Sequence, residues 1–199
     1  MRMQYVPRVE ELDIVDGVID SLDEDGDSPV PNITHRYPDR ALFLVSPVCA
    51  SYCRFCTRRR KVGDPEKISL KEYESAFQYL AEHTEIRDVI MSGGDPMMLS
   101  DARLEYIFQR LRAIPHIEII RLGSRITSHL PERVTPEFCE MVKRNGRWQN
   151  VPMVALSSHA SARDLEKGRS VGFDDYVAKY DRDGLVHTLN STLHDMRAA

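Results

Sequence analysis

The sequence predicts an α/β protein built on one parallel, doubly wound sheet of five strands, preceded by an N-terminal extension. Three observations carry this expectation. From Arg40 onward, short apolar runs alternate with segments of helical spacing, an order that makes parallel strands joined by right-handed crossovers. The 199 residues, 42% hydrophobic and 29% charged, suffice for one domain with a core and are too few for two comfortable ones. Five strand–helix units are too few to close an eight-stranded barrel, so an open sheet is the simpler solution.

Residues 1–39 read as an extension without a β-rich run. Its acidic stretch, Asp20 to Ser28, fails as a calcium loop. With Asp23, Asp25 and Asp27 as ligands, Ser28 stands where glycine is required and Thr34 where the bidentate glutamate belongs. It reads as a solvated linker that ends in the Pro29-Val30-Pro31 turn. Residues 40–199 read as a single domain.

Ala41–Ser46 is its first strand, a short apolar run. Ser69–His83 has helical spacing through Leu70, Tyr73, Phe77 and Leu80, with Ser69 as N-cap and Glu72 three residues on. Arg87–Met91 is the second strand, closed by Gly93-Gly94. A helix over Ser100–Ala113 follows, its apolar face Leu104, Ile107, Phe108 and Leu111. Ile117–Leu122 is the third strand and Pro136–Lys143 the third helix. Val151–Leu156, a helix over Ala162–Val171, Tyr176–Ala178 and a closing helix over Leu185–Met196 complete the series.

A formal net charge of −4 gives no global reason to expect nucleic acid or an anionic membrane as partner. The longest apolar stretch, around Ala41–Val48, is far shorter than a membrane span. The N-terminus lacks the basic, apolar, small-residue signal pattern. The expectation is a soluble cytoplasmic protein with a small-molecule ligand, its oligomeric state unread.

Four cysteines are present, and Cys49, Cys53 and Cys56 fall within eight residues while Cys139 lies far away. A disulfide framework spreads its cysteines, whereas clustering points to metal. The segment Cys49-Ala-Ser-Tyr-Cys53-Arg-Phe-Cys56 directly follows the first strand. Thiolates are the ligands of iron–sulfur clusters, and three of them on a four-iron cubane leave one iron open for a small molecule, as on other catalytic metals. The alternative is half of a zinc site completed by Cys139 or His35. The second strand ends in Ser92-Gly93-Gly94-Asp95, where glycines admit close backbone approach and Asp95 can accept from an ammonium. Arg58-Arg59-Arg60-Lys61 is either an anion site or a solvated cationic face.

The C-x3-C-x2-C spacing with Phe55 before the last cysteine resembles the radical S-adenosylmethionine superfamily. The resemblance narrows to lysine 2,3-aminomutase over roughly residues 28–143. It rests on His35-Arg36-Tyr37-Pro38-Asp39-Arg40, Cys49 through Arg60, Ser92–Asp95, Ile119 through Arg125, and Leu130 through Glu137. It implies a [4Fe-4S] cluster on Cys49, Cys53 and Cys56, with S-adenosylmethionine chelated to the open iron. Phe55, Ser92, Gly93, Gly94 and Asp95 become cofactor-binding candidates, the last beside the methionine amino group. In that family S-adenosylmethionine is cleaved to a 5′-deoxyadenosyl radical, and the amino group of a lysine bound through pyridoxal phosphate migrates. By the same resemblance Arg58 would hold the substrate carboxylate, while Tyr37 and Arg40 would face the phosphate of pyridoxal phosphate. Bidentate arginine suits both anions. The family's Schiff-base lysine and further barrel strands have no counterpart here, and Lys143, Lys167 and Lys179 lie in no context that supplies one. No catalytic residue is assigned. Ile126-Thr127-Ser128-His129 departs from the apolar run expected there.

Residues 144–199 resemble instead the last two βα units of a two-component receiver domain. Ser157 would end the fourth strand and Lys179 the fifth, the two positions that sense phosphorylation. Neither Ala41–Ser46 nor Ile117–Leu122 ends in an aspartate, so receiver phosphorylation is not expected. Two parts from different families, 40–143 and 144–199, suggest an engineered or recombined chimera joined in the third helix. Three units of one and two of the other would complete a flavodoxin-like sheet of order 2-1-3-4-5, with the cysteine loop at its switch point. The expected function is therefore cluster and S-adenosylmethionine binding without a full aminomutase site. The alternatives are an active isomerase and a receiver-like signalling domain.

Overall fold

The run Arg-Ala-Leu-Phe-Leu-Val-Ser forms a strand because each alternate side chain finds a different partner. In the computed structural model, Ala41, Phe43 and Val45 are fully buried on one face. Phe43 meets Tyr73 and Phe77 edge-on with ring centroids 5.4 Å apart in both pairs, a geometry that aromatic pairs favour. Leu42, on the opposite face, lines a cavity together with Ile90 of the next strand. The structure describes residues 2–6, 8–11, 17–64, 66–69, 71–144, 154–157, 161–163, 165–166 and 174–198.

The chain divides into two compact units, residues 1–141 and 142–199. The first contains α1 (Arg2–Tyr5), β1 (Ile33–Tyr37), β2 (Arg40–Ser46), α2 (Tyr73–Glu82), β3 (Asp88–Gly93), α3 (Asp101–Arg112), β4 (Ile119–Leu122), α4 (Ile126–His129) and most of α5 (Pro136–Arg144). The second contains β5 (Val154–Ser157), β6 (Asp175–Ala178) and α6 (Arg182–Ala198).

Among the described residues each unit has its own sheet, one of order β1-β2-β3-β4 and one of β5-β6. The pairs β2–β3, β3–β4 and β5–β6 are parallel. This differs from the expected five-stranded sheet of order 2-1-3-4-5, which would place Ala41–Ser46 between the second and third strands. Instead β3 lies between β2 and β4, because the other edge of β2 is taken by β1 in an antiparallel hairpin. That strand falls inside the stretch read as an extension. Its first two residues are buried and its last two exposed, so Ile-Thr-His-Arg-Tyr carries no long apolar run to mark it.

The acidic stretch is likewise part of the structure rather than a solvated linker. Asp20 pairs with Arg60 at 2.5 Å, Glu24 with Arg58 at 2.7 Å and Asp25 with Lys61 at 2.6 Å. Helix α2 starts at Tyr73, a turn later than expected. Ser69 Oγ accepts from Lys71 N at 3.2 Å and so caps a turn, while Glu72 occupies the N-cap without a side-chain bond. Leu70, Lys167, residues 151–153 of the expected fourth strand and most of the expected 162–171 helix lie outside the described residues.

Candidate functional site

Three loops leave the carboxyl ends of β2, β3 and β4, and hydrogen bonds beyond the sheet tie them together. After β2 the chain runs out through Pro47 to the cysteines and returns where Gly63 N donates to Pro47 O at 2.7 Å. Within this loop Cys56 N donates to Cys53 O at 3.1 Å, and Arg54 N donates to Gln4 O of α1 at 2.8 Å. Cys49, Cys53 and Cys56 are free thiols of intermediate exposure. Burial pushes the Cys49 thiol up to about 11, with the Asp95 carboxylate and the other two cysteines as further causes.

The loop after β3 passes so close that only glycine fits. Gly94 N donates to Ser46 O at 2.5 Å, and a Cβ on Gly94 would stand 2.5 Å from Val48 O. Gly93 has φ +108°, the left-handed region that side chains avoid. Asp95 then organises all three loops. Its backbone N donates to Val48 O at 2.8 Å. Its carboxylate accepts from Met97 N at 3.0 Å, from Ser124 Oγ at 2.8 Å and from Arg125 N at 2.8 Å. Asp95 is 7% exposed, so the residue assigned from sequence to an external ammonium is already taken up by internal donors. Ser92 lies on β3, directly before Gly93.

Arg125 is the functional candidate that the sequence reading missed. Its Nη1 donates to Cys53 Sγ at 2.8 Å, and its guanidinium carbon lies 5.4 Å from the centroid of the exposed Phe55 ring. The signal that could have found it is a polar Gly-Ser-Arg directly after a parallel strand, hence at the same edge as the cysteines.

Tyr37, Arg40 and Arg58, assigned to anionic groups, come together around one cavity of about 570 Å³, with Leu42 and Ile90 among the apolar lining. None stands idle. Arg40 Nε donates to Asp88 Oδ2 at 2.8 Å, Arg58 holds Glu24, and the Tyr37 ring lies under Arg40 at 5.9 Å. Glu24 Oε2 and Arg58 Nε are buried without hydrogen-bond partners. The zinc alternative finds no support in placement. His35 Nδ1 is hydrogen-bonded to Tyr79 OH at 2.8 Å, and Cys139 is exposed on α5, which buries Phe138 and Met141 instead.

Residues 43–182 match the model of the radical SAM superfamily, and the chain belongs to that family. Among curated relatives it is 49% identical to the L-lysine 2,3-aminomutase of Fusobacterium nucleatum over 72% of this chain and 34% of that protein. It is 50% identical to the enzyme of that name from Acetoanaerobium sticklandii over 63% of this chain and 30% of that protein. It is 40% identical to that from Bacillus subtilis over 98% of this chain and 43% of that protein. The chain thus spans well under half the length of these relatives.

Membership in the family implies a [4Fe-4S] cluster and S-adenosylmethionine. The donor set fits the cluster by its chemistry: three thiols on one loop, with Cys49 interacting electrostatically with both others, and sulfur is what these clusters take. Among the described residues no three His, Cys, Asp or Glu side chains are drawn together closely enough to hold a single metal ion. No helix among them is long and apolar enough to cross a membrane.

Proposed function

We propose that the first unit is the cluster- and S-adenosylmethionine-binding core of an aminomutase-type radical protein, and that this chain binds both groups without completing amino migration. The observation that carries the proposal is the convergence of the Cys49–Cys56 loop, the Gly93–Asp95 turn and Ser124–Arg125 through the Asp95 carboxylate. The cluster, when bound, supplies the electron for reductive cleavage of S-adenosylmethionine. The chain's own residues do the holding. Cys49, Cys53 and Cys56 provide three thiolates, Gly94 lets the second loop pass against the first, and Asp95 fixes the third loop.

Pyridoxal phosphate and an amino acid are the groups proposed for the cavity of Tyr37, Arg40 and Arg58. Its three arginines, Arg36, Arg40 and Arg58, suit phosphate and carboxylate, and an incoming anion would share Arg58 with Glu24. No lysine is among the described residues that line it. On this reading β2, β3 and β4, parallel and in sequential order, form the opening arc of a β/α barrel. A cytoplasmic setting, where thiols stay reduced, belongs to the same proposal.

A second reading, that residues 144–199 derive from a receiver-like domain joined to the aminomutase-like part, draws on the division between Met141 and Val142. The parallel β5–β6 pair, with Ser157 ending one strand and Lys179 following the other, also suits it. A family match that reaches residue 182 favours a single origin.

The test is anaerobic reconstitution followed by equilibrium dialysis with labelled S-adenosylmethionine, then incubation with dithionite and lysine. Retention of S-adenosylmethionine only by cluster-loaded protein, with little 5′-deoxyadenosine and no β-lysine, is expected. Absence of cluster-dependent retention would contradict the binding reading, and catalytic β-lysine would contradict the limit placed on turnover.

A further inference from the structure

Arg125 combines a fixed backbone with a free charge. Its N–H is held by Asp95 Oδ2 at 2.8 Å, and Ser124 Oγ, bound to Asp95 Oδ1 at 2.8 Å, receives the N–H of fully buried Ile126 at 3.0 Å. The side chain is exposed, yet its base cannot wander, and it reaches back across the loop of β2 to Cys53 Sγ and the Phe55 face. Of the other arginines flanking the cysteines, Arg54 is paired with Glu11, Arg58 with Glu24, and Arg60 with Asp20 and Asp25, whereas Arg59 is exposed. Among the described residues Arg125 makes no ion pair with a carboxylate. Its positive charge is therefore left to act on the sulfur that it touches.

We propose that Arg125 is a positioning residue for the cluster, which orients Cys53 through its sulfur and raises the cluster's reduction potential. The proposal rests on the reading that Cys49, Cys53 and Cys56 carry the cluster. One-electron reduction adds negative charge to the cluster and its thiolates. An N–H donor and an uncompensated cation at one of those sulfurs stabilise the reduced form more than the oxidised one, and hydrogen bonds to sulfur are among the levers that set such potentials. Neither the thiolate nor the arginine needs to change its protonation state for this effect.

The measurement is a dithionite titration of the reconstituted full chain, followed by electron paramagnetic resonance, with iron content and far-ultraviolet circular dichroism recorded for every variant. R125Q keeps a donor without charge, R125M keeps neither, and R125K keeps charge on a shorter reach. The midpoint is expected to move to more negative potential in R125Q and further in R125M, with R125K between them and the parent. The double variant R54Q/E11Q removes a neighbouring ion pair without changing net charge and should move it much less. Full cluster content in R125Q and R125M with an unchanged midpoint would overturn the proposal, as would a shift no larger than that of R54Q/E11Q. If R125M fails to load iron, R125Q and R125K decide on the same criterion. A parent chain that loads no cluster would remove the reading beneath the proposal, and the proposal with it.

Discussion

Cys49 sits where the loop of β2 meets Asp95, and its thiol, raised to about 11 by burial first and by nearby negative groups second, must give up a proton to ligate metal. Ligation therefore displaces that proton and becomes pH-dependent. Each of C49A, C53A and C56A is expected to abolish cluster loading, measured as iron and sulfide per chain after anaerobic reconstitution. C139A should load like the parent, since Cys139 is exposed on α5, and equal iron loss in that variant would overturn the assignment. Gly94 is a second residue-scale constraint. A methyl group there would stand 2.5 Å from Val48 O and 2.8 Å from Val48 C, backbone atoms that cannot swing aside. G94A should lower stability by about 1–3 kcal/mol in urea unfolding and impair cluster loading, whereas parent-like behaviour in both would contradict the close approach. The cysteines were legible in the sequence because their spacing is itself the signal. Arg125 was not, because its role depends on which strand ends share an edge, and an isolated arginine after a strand carries no spacing to read.

Helices α2 and α3 are joined at the surface by Glu74, whose carboxylate takes Arg110 at 2.6 and 2.8 Å and Tyr106 OH at 2.7 Å. Hydrogen bonds from Arg110 first and Tyr106 second hold its carboxyl down to about 2 from an ordinary 4.5. Because the folded value is depressed, the stabilisation is fully present above about 4.5 and is lost as pH falls toward 2. The difference in melting temperature between the parent and E74Q should accordingly shrink between pH 6 and pH 2. A difference that stays constant over that range would show that the ionised carboxylate contributes nothing. At this scale most elements of the first unit were legible: α3 and the strands at 88–93 and 119–122 follow apolar periodicity to within two or three residues. β1 was not, since an edge strand with two buried and two exposed residues has too little periodicity to be told from a loop. α4 was not either, being four residues of Ile-Thr-Ser-His, with only Ile126 buried.

The whole molecule shows where a local reading reaches its limit. Counting strand–helix units yielded strands in the right places, but their spatial order depends on which edge of β2 is occupied. The hairpin from Ile33 to Ser46 occupies it, so β4 pairs on the far side of β3 and the order is sequential. The chain divides between Met141 and Val142, while the family match runs across that division to residue 182. What unites the molecule functionally is the edge at which the cysteine loop, Gly93–Asp95 and Ser124–Arg125 meet, and the central claim is that this edge binds S-adenosylmethionine through an open iron. Electron paramagnetic resonance of the dithionite-reduced, reconstituted chain, recorded with and without S-adenosylmethionine, tests that claim most directly. A clear change in the cluster signal on addition, absent with S-adenosylhomocysteine lacking the methyl group only if sulfonium contact matters and present with both if chelation alone does, is the result predicted. Identical spectra with and without S-adenosylmethionine at full cluster occupancy would contradict it.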